Sequence, residues 1–483
     1  MFITAAAKPA RTVRSRTTFV VASMAWFAFA LDKLVVATAL PNIRTDLTAS
    51  TSDLEWTVGA FTLTFGVLLL TGSALGDRFG RRRMFVLGMS LFTAASALAA
   101  LSPTMPLLVA ARALQGAGGA LFAPVILTML SLATPVERRG AVFGAWGGVG
   151  AVGAAIGPLV GGLLTQTVGW RSAFWINVPL GVVLVPLAWR RLAESHGPAR
   201  RLDVSGLLLG TAGLLGVVWG VIRGGESGWL TPEVVLSLSS GAVLLIGFVR
   251  WEIRAIDPLL PMRFFTNRTF AVASLASFSM YAALFGSLFF VTQIFQTGLG
   301  ESPLEAGLRT MPVAVMPMLL SPVAGFLSDR WGVRPLLIAG LASLSAALGW
   351  FALVAGTTVP YILILPSLLA MGAGAALFFG PITAVTQSAV PHEDEGVASG
   401  VATTVRELAA VFGIAVIGTL FSVYGSLETP TQFTDGLRAS LAVGALMALG
   451  GIAAANALPR PSRGTEPIHK KADSGERLCR IDT

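Results

Sequence analysis

Fourteen predominantly apolar stretches, each about 20 residues long and separated by clusters of polar residues, Gly or Pro, fill the chain. They run roughly over 17–41, 53–75, 84–101, 105–130, 138–162, 171–190, 203–222, 231–250, 268–297, 303–327, 335–355, 358–388, 395–420 and 436–457. Only 12% of the 483 residues are charged and 54% are hydrophobic, against about 25% charged in an ordinary soluble domain. Stretches this long need a hydrocarbon solvent, and the backbone polar groups of each must pair within it, so the expected fold is an all-α polytopic membrane protein.

An even number of spans puts both termini on one side. Of the 34 Lys and Arg residues, 26 fall in the segments on that side. The other side holds only Arg44, Arg171, Arg223, Arg309 and Arg438, while Lys33, Arg112 and Arg406 sit inside apolar stretches. The positive-inside rule therefore places both termini in the cytoplasm. The net charge of +9 is topogenic by this distribution, and no nucleic-acid partner is expected. The basic residues Lys8, Arg11, Arg14 and Arg16 precede an apolar run too long for a signal peptide, which reads as an uncleaved first span.

Several chemistries are excluded. The one cysteine, Cys479, permits no intrachain disulfide or thiolate cluster. His196, His392 and His469 are too scattered for a metal site, and the chain carries no HExxH, GxSxG or GxxxxGK[ST] pattern. No cofactor, metal or ATP hydrolysis is expected.

The chain repeats itself. Gly76-Asp77-Arg78-Phe79-Gly80 is echoed by Ser328-Asp329-Arg330-Trp331-Gly332. Gly116 to Phe122 resembles Gly372 to Phe378, and Gly140, Gly144, Gly157 and Gly162 correspond to Gly396, Gly400, Gly413 and Gly418. Two halves of about six spans follow, with an extra pair between them. The expected organisation is a six-helix lobe over 1–200, two inserted helices over 201–265, a second six-helix lobe over 266–458 and a polar tail over 459–483. Parallel halves with a binding site between them at the midplane are a transporter architecture.

These features resemble the major facilitator superfamily, in particular its fourteen-span drug:proton antiporter branch. The segment Gly76-Asp77-Arg78-Phe79-Gly80-Arg81-Arg82-Arg83 is similar to the family's cytoplasmic signature. With Asp329 and Arg330 in the second half, it implies a cytoplasmic gate in which acid–arginine pairs form in one state and break in another. Leu31 to Val36 with Ala39 to Ile43 is similar to the branch's first-span motif, although Lys33 and Leu34 depart from it. Arg112 to Gly118 is similar to the signature whose Arg is implicated in proton coupling. Gly153, Gly157-Pro158 and Gly161-Gly162 are similar to the antiporter signature of the fifth span. Small residues four apart let helices approach closely and Pro bends the helix, so a packed hinge near the outer gate is expected. Trp170-Arg171, Phe174 to Pro179, Asp203 and Gly206 look like the fourteen-span branch specifically. Arg406 stands where that branch often has Arg, and Glu407 stands where it commonly has an amide.

Among the 25 acids, Asp32 and Glu407 lie well inside apolar stretches. A charge at a helix centre costs roughly 2.5–3.5 kcal/mol on the insertion scale. Such residues are candidates for proton coupling, with Arg112 and Arg406 as the cations that tune them. The competing reading is that these acids pair with Arg112, Arg406 or Lys33 and hold helices together. Adjacent residues do not face one another on a helix, so Asp32 with Lys33, and Arg406 with Glu407, are poor intrahelical pairs. Trp56, Gln115, Trp146, Tyr281 and Phe285 are candidates for a substrate cavity.

The resemblance implies a monomeric inner-membrane exporter that expels an amphipathic drug or antibiotic in exchange for protons, with the lipid bilayer as its surroundings. Export of one dedicated metabolite, self-made antibiotic or lipid-like compound is the alternative. A membrane enzyme is opposed by the lack of a nucleophile–base or metal constellation, and a sensor by the lack of a soluble domain.

Overall fold

The computed structural model describes residues 10–135, 139–196, 203–390 and 395–458. The tail over 459–483, with His469 and Cys479, and His392 lie outside the described residues. Among the described residues fourteen helices are long and apolar enough to cross a membrane. The first five spans are α1 (Ala10–Leu47), α2 (Thr51–Phe79), α3 (Arg81–Ala100), α4 (Met105–Ala133) and α5 (Arg139–Thr167). The sixth differs from the single helix expected. It divides into α6 (Ser172–Trp175) and α7 (Asn177–Arg191), because Pro179 has no N–H to donate to the carbonyl of Trp175 one turn earlier.

The inserted pair is α8 (Val204–Ser227) and α9 (Pro232–Glu252), followed by the short α10 (Arg263–Thr266). The second lobe comprises α11 (Arg268–Gln293), α12 (Pro303–Trp331), α13 (Val333–Val354), α14 (Tyr361–Ser388), α15 (Glu395–Tyr424) and α16 (Pro430–Asn456). A π-helical turn, Ile294–Gly298, ends α11.

The repeat is visible in the helix caps. Ser50 accepts the Asp53 N–H at 3.1 Å while Asp53 accepts that of Ser50 at 3.0 Å. Ser302 and Glu305 make the same reciprocal box at the start of α12. Such boxes satisfy two of the helix's orphan donors. Gly80 ends α2 at φ 104° and Gly332 ends α12 at φ 81°, backbone conformations that side chains strain to adopt. At Gly80 a Cβ would also come within 2.7 Å of the Glu194 carboxylate. Gly80→Ala is therefore expected to destabilise the protein by about 1–3 kcal/mol, read as a lowered unfolding temperature in detergent. An unchanged unfolding temperature would contradict this account of the turn.

Each lobe packs in the same way. In the first, α1 lies on α5, α2 on α4, and α3 on α4 and α7; in the second, α11 lies on α15, α12 on α14, and α13 on α14 and α16. Between lobes, α1 meets α11, α2 meets α15 and α5 meets α12, the pairs that a twofold axis along the membrane normal exchanges. The inserted pair breaks this symmetry. Helix α8 packs against α15 and α2, Thr419 donates to the Val221 carbonyl at 2.8 Å, and Trp56 meets Trp219 at 5.7 Å between ring centroids. One of the two lateral seams between the lobes is thereby covered.

Candidate functional site: a cavity between the lobes

The two ends of the bundle differ. At the far end, opposite the one where α1 begins and α16 ends, the lobes are closed against each other. Arg44 donates to the Leu427 carbonyl at 2.5 Å and Gln296 to that of Thr38 at 3.0 Å. One buried apolar cluster runs across both lobes there, through Leu31, Val35 and Val36 of α1 and Phe290, Ile294 and Phe295 beyond them.

Toward the terminal end a cavity of about 1700 Å³ separates the lobes. Its wall includes Trp26, Phe65, Leu69, Trp146, Tyr281, Gly400, Arg406 and Glu407, and its mouth includes Asp77, Arg81, Asp203, Glu252 and, in the connection after α9, Ala255 to Leu259 with Pro261 and Met262. A space of this size, with apolar and aromatic walls and charged groups at its mouth and inner limit, suits an amphipathic organic molecule.

At its inner limit an ion pair bridges the lobes. Lys33 of α1 donates to both carboxylate oxygens of Glu407 of α15, at 2.7 and 2.8 Å. The close passage of α2 past α15 leaves room for the glutamate, since a Cβ on Gly66 would come within 2.9 Å of the Glu407 Cβ. The ammonium lies 5.5 Å from the ring centroids of Phe29 and Phe65, which attract it by their quadrupoles. Both side chains retain partial exposure, 24% for Lys33 and 15% for Glu407, so Glu407 is reachable from the cavity. Beside it, Arg406 donates to Thr403 Oγ1 at 2.8 Å and to the Ala402 carbonyl at 3.2 Å, and its guanidinium lies over the Tyr281 ring.

Asp32 is placed differently. Its carboxylate is fully buried in the first lobe and accepts from Arg112 at 2.7 Å, Asn177 at 2.6 Å and Gln115 at 3.3 Å. Arg112 also donates to Gln115 Oε1 at 2.9 Å and to the Thr57 carbonyl at 3.0 Å, and stacks on Phe61. Gln115 in turn donates to Ser96 at 2.6 Å. Five elements meet in this network: α1, α2, α3, α4 and α7. A buried ion pair of this kind holds its geometry through hydrogen bonds, and losing one partner leaves an uncompensated charge.

The remaining candidates fall as follows. Asp77 pairs with Arg81 at 2.7 Å within the first lobe, while Arg82 and Arg83 lie 3.6 and 3.7 Å from Glu194, which also accepts the Arg82 N–H at 2.9 Å. Gly76 packs against Val125. Arg78 lies over the Phe79 ring and Arg330 is exposed, and the side chain of Asp329 lies outside the described residues. Of the hinge glycines, Gly153, Gly157 and Gly161 press α5 onto α1, whereas Gly162 meets the Pro303 backbone of α12 and Pro158 meets Gly307. Trp146 and Tyr281 line the cavity, Phe285 stacks on Tyr281 outside its wall, Trp56 packs on α8, and Gln115 belongs to the Asp32 network.

Sequence reasoning named Lys33 among the cations that could pair with Asp32 or Glu407, as the structural alternative to coupling, but did not single out the Lys33–Glu407 pair. The signal was present, because each departs from the branch's usual residue and the two departures carry opposite charge. Glu194, an acid within an otherwise basic loop, was a second such signal. Glu252, buried beside Asp203 at the base of the inserted pair, had none.

The chain matches the Major Facilitator Superfamily over residues 18–414. It belongs to that family. The chain is 33% identical over 409 residues to the multidrug resistance protein Stp of Mycobacterium tuberculosis (strain CDC 1551 / Oshkosh), covering 84% of this chain and 76% of that one. It is 32% identical to the tetracenomycin C resistance and export protein of Streptomyces glaucescens, covering 98% of this chain and 90% of that one. With the cephamycin export protein of Amycolatopsis lactamdurans it shares 35% identity, covering 86% of each chain. Among solved structures, an auto inhibited POT family peptide transporter superposes with a TM-score of 0.69 at 16% identity, covering 94% of this chain and 99% of that one, which supports the two-lobed fold. As a member of this family the protein is a multi-pass membrane transporter of small molecules and not an enzyme.

Proposed function

We propose that the protein exports an amphipathic drug- or antibiotic-like compound across the cell membrane in exchange for protons, as a monomer with both termini in the cytoplasm. The Lys33–Glu407 pair at the inner limit of the cavity carries this reading. The names of the similar resistance and export proteins support the direction and the substrate class. The bias of basic residues toward the terminal end makes that end cytoplasmic, so the structure corresponds to an inward-facing state. The lobes are 1–200 and 266–458, with 201–265 inserted between them.

In this state Glu407 has given up its proton and its charge is held by Lys33. Protonation neutralises the carboxylate and removes the ionic link between α1 and α15, since a proton and the ammonium compete for the same two oxygens. The cycle then runs as an exchange. A proton enters Glu407 when the far side opens, the transporter returns inward, and the proton leaves through the cavity as the pair reforms. Asp32, enclosed by Arg112, Gln115 and Asn177, keeps α1, α4 and α7 aligned. Asp77, Arg81 and Arg82 with Glu194 form the cytoplasmic gate, and α5 with its Pro158 and Gly162 forms the far-side seal.

Expression in an efflux-deficient bacterium tests this. Intracellular accumulation of a panel of amphipathic compounds is expected to fall, to recover on adding a protonophore, and to recover equally in Glu407→Gln. Lowered accumulation that ignores the protonophore would sink the antiport reading. A panel in which only one compound responds favours the dedicated exporter.

A further inference from the structure

The charges around the inner cavity do not balance. Three ionised side chains, Lys33, Arg406 and Glu407, stand at mid-depth beside it. The lone acid among them is bound through both oxygens to Lys33. Arg406, which lines the cavity, has only neutral partners among the described residues: the Ala402 carbonyl, the Thr403 hydroxyl and, at 3.5 Å, the Tyr281 hydroxyl. The other acids of the cavity wall, Asp77, Asp203, Glu252 and Asp257, are all at helix ends or in the connection at its mouth. A guanidinium kept at membrane depth without a carboxylate is costly, and its planar fork suits a carboxylate or a phenolate. Ring faces lie next to it. Tyr281 is stacked on Phe285 and Phe379, and Trp26 and Trp146 stack at 4.8 Å on the opposite wall.

We propose that the inner cavity selects an amphipathic aromatic acid, whose anionic group is taken by Arg406 with Tyr281, and that Lys33 excludes lipophilic cations by occupying Glu407. This deepens the exporter reading and rests on it. Lys33 acts as a tethered competitor: an external cation must displace an ammonium already held at the carboxylate, whereas an acid meets a guanidinium whose partners among the described residues are neutral.

The test is equilibrium binding to the purified protein in lipid nanodiscs, with empty nanodiscs subtracted. Three probes are compared: anthraquinone-2-carboxylate, its uncharged carboxamide, and tetraphenylphosphonium. The wild type is expected to bind the carboxylate about tenfold or more tighter than the carboxamide, the scale of one charge-assisted hydrogen-bonded contact, and to bind the cation weakest. Arg406→Gln is expected to erase the preference for the carboxylate, and Arg406→Lys to retain part of it. Lys33→Met is expected to gain cation binding, which the added Glu407→Gln removes. Retained binding of the carboxamide by Arg406→Gln shows that this variant is folded, and loss of all binding is resolved by Arg406→Lys. The absence of a carboxylate preference in the wild type, whether the cation binds better or nothing binds, overturns the proposal, as does a preference that survives in Arg406→Gln. Gradient-driven transport of the cation with no preference for the acid would leave the exporter reading standing and this inference refuted.

Discussion

Replacing Arg112 with alanine is expected to abolish transport and to lower stability by about 3–5 kcal/mol, the cost of leaving a buried carboxylate without its cation. The size follows from the surroundings. Asp32 is fully buried, and its two neutral donors, Gln115 and Asn177, do not neutralise it. Arg112 further ties α4 to the Thr57 carbonyl of α2 and covers Phe61, so truncation also opens a cavity. Combining it with Asp32→Asn removes the orphaned charge and is expected to recover a substantial part of the lost stability without restoring transport. Thermal unfolding of the purified variants in detergent gives the comparison. A single variant as stable as wild type would show that the pair carries no structural load.

Gly162→Leu is expected to reduce transport by about 100-fold or more, on the scale of overpacking at a closely fitted contact combined with loss of a required conformation. A Cβ at Gly162 would overlap the Pro303 backbone, and four carbons cannot be accommodated where α5 and α12 touch. The far end then cannot close, and the state closed there and open toward the terminal end is lost. Spin-label distances across the far end are expected to lengthen and those across the cavity mouth to shorten. Gly450→Leu is the control, because nothing lies within 4 Å of its Cβ position and it is exposed. Wild-type distances and activity in Gly162→Leu would remove the seal from the account.

Hydropathy makes the fourteen spans legible in the sequence, because each stretch must satisfy its backbone alone and so announces itself by length, while the two lobes are legible only through the internal repeat and the family motifs. The Gly-rich fifth span also announces close packing, but not that Gly153, Gly157 and Gly161 serve one neighbour while Gly162 serves another. Helix phase decides that, and phase depends on the partner's position. Intramembrane charges stand out individually, yet their pairing is a long-range fact: 374 residues separate Lys33 from Glu407. Asp32 and Glu407 look alike as sequence, each an acid in an apolar run. Packing separates them, enclosing one among Arg112, Gln115 and Asn177 and presenting the other to a cavity.

In the proposed cycle Glu407 exchanges a proton for substrate. The most direct measurement uses vesicles containing the purified protein, loaded at acid pH with a pH-sensitive dye and diluted into alkaline buffer. A compound that the accumulation panel identifies as exported is then added outside. The compound is expected to accelerate proton loss from wild-type vesicles as it accumulates, and Glu407→Gln vesicles, with the same amount of folded protein, to show neither change. Proton loss accelerated equally in Glu407→Gln, or accumulation in wild type with no proton movement, would contradict that exchange.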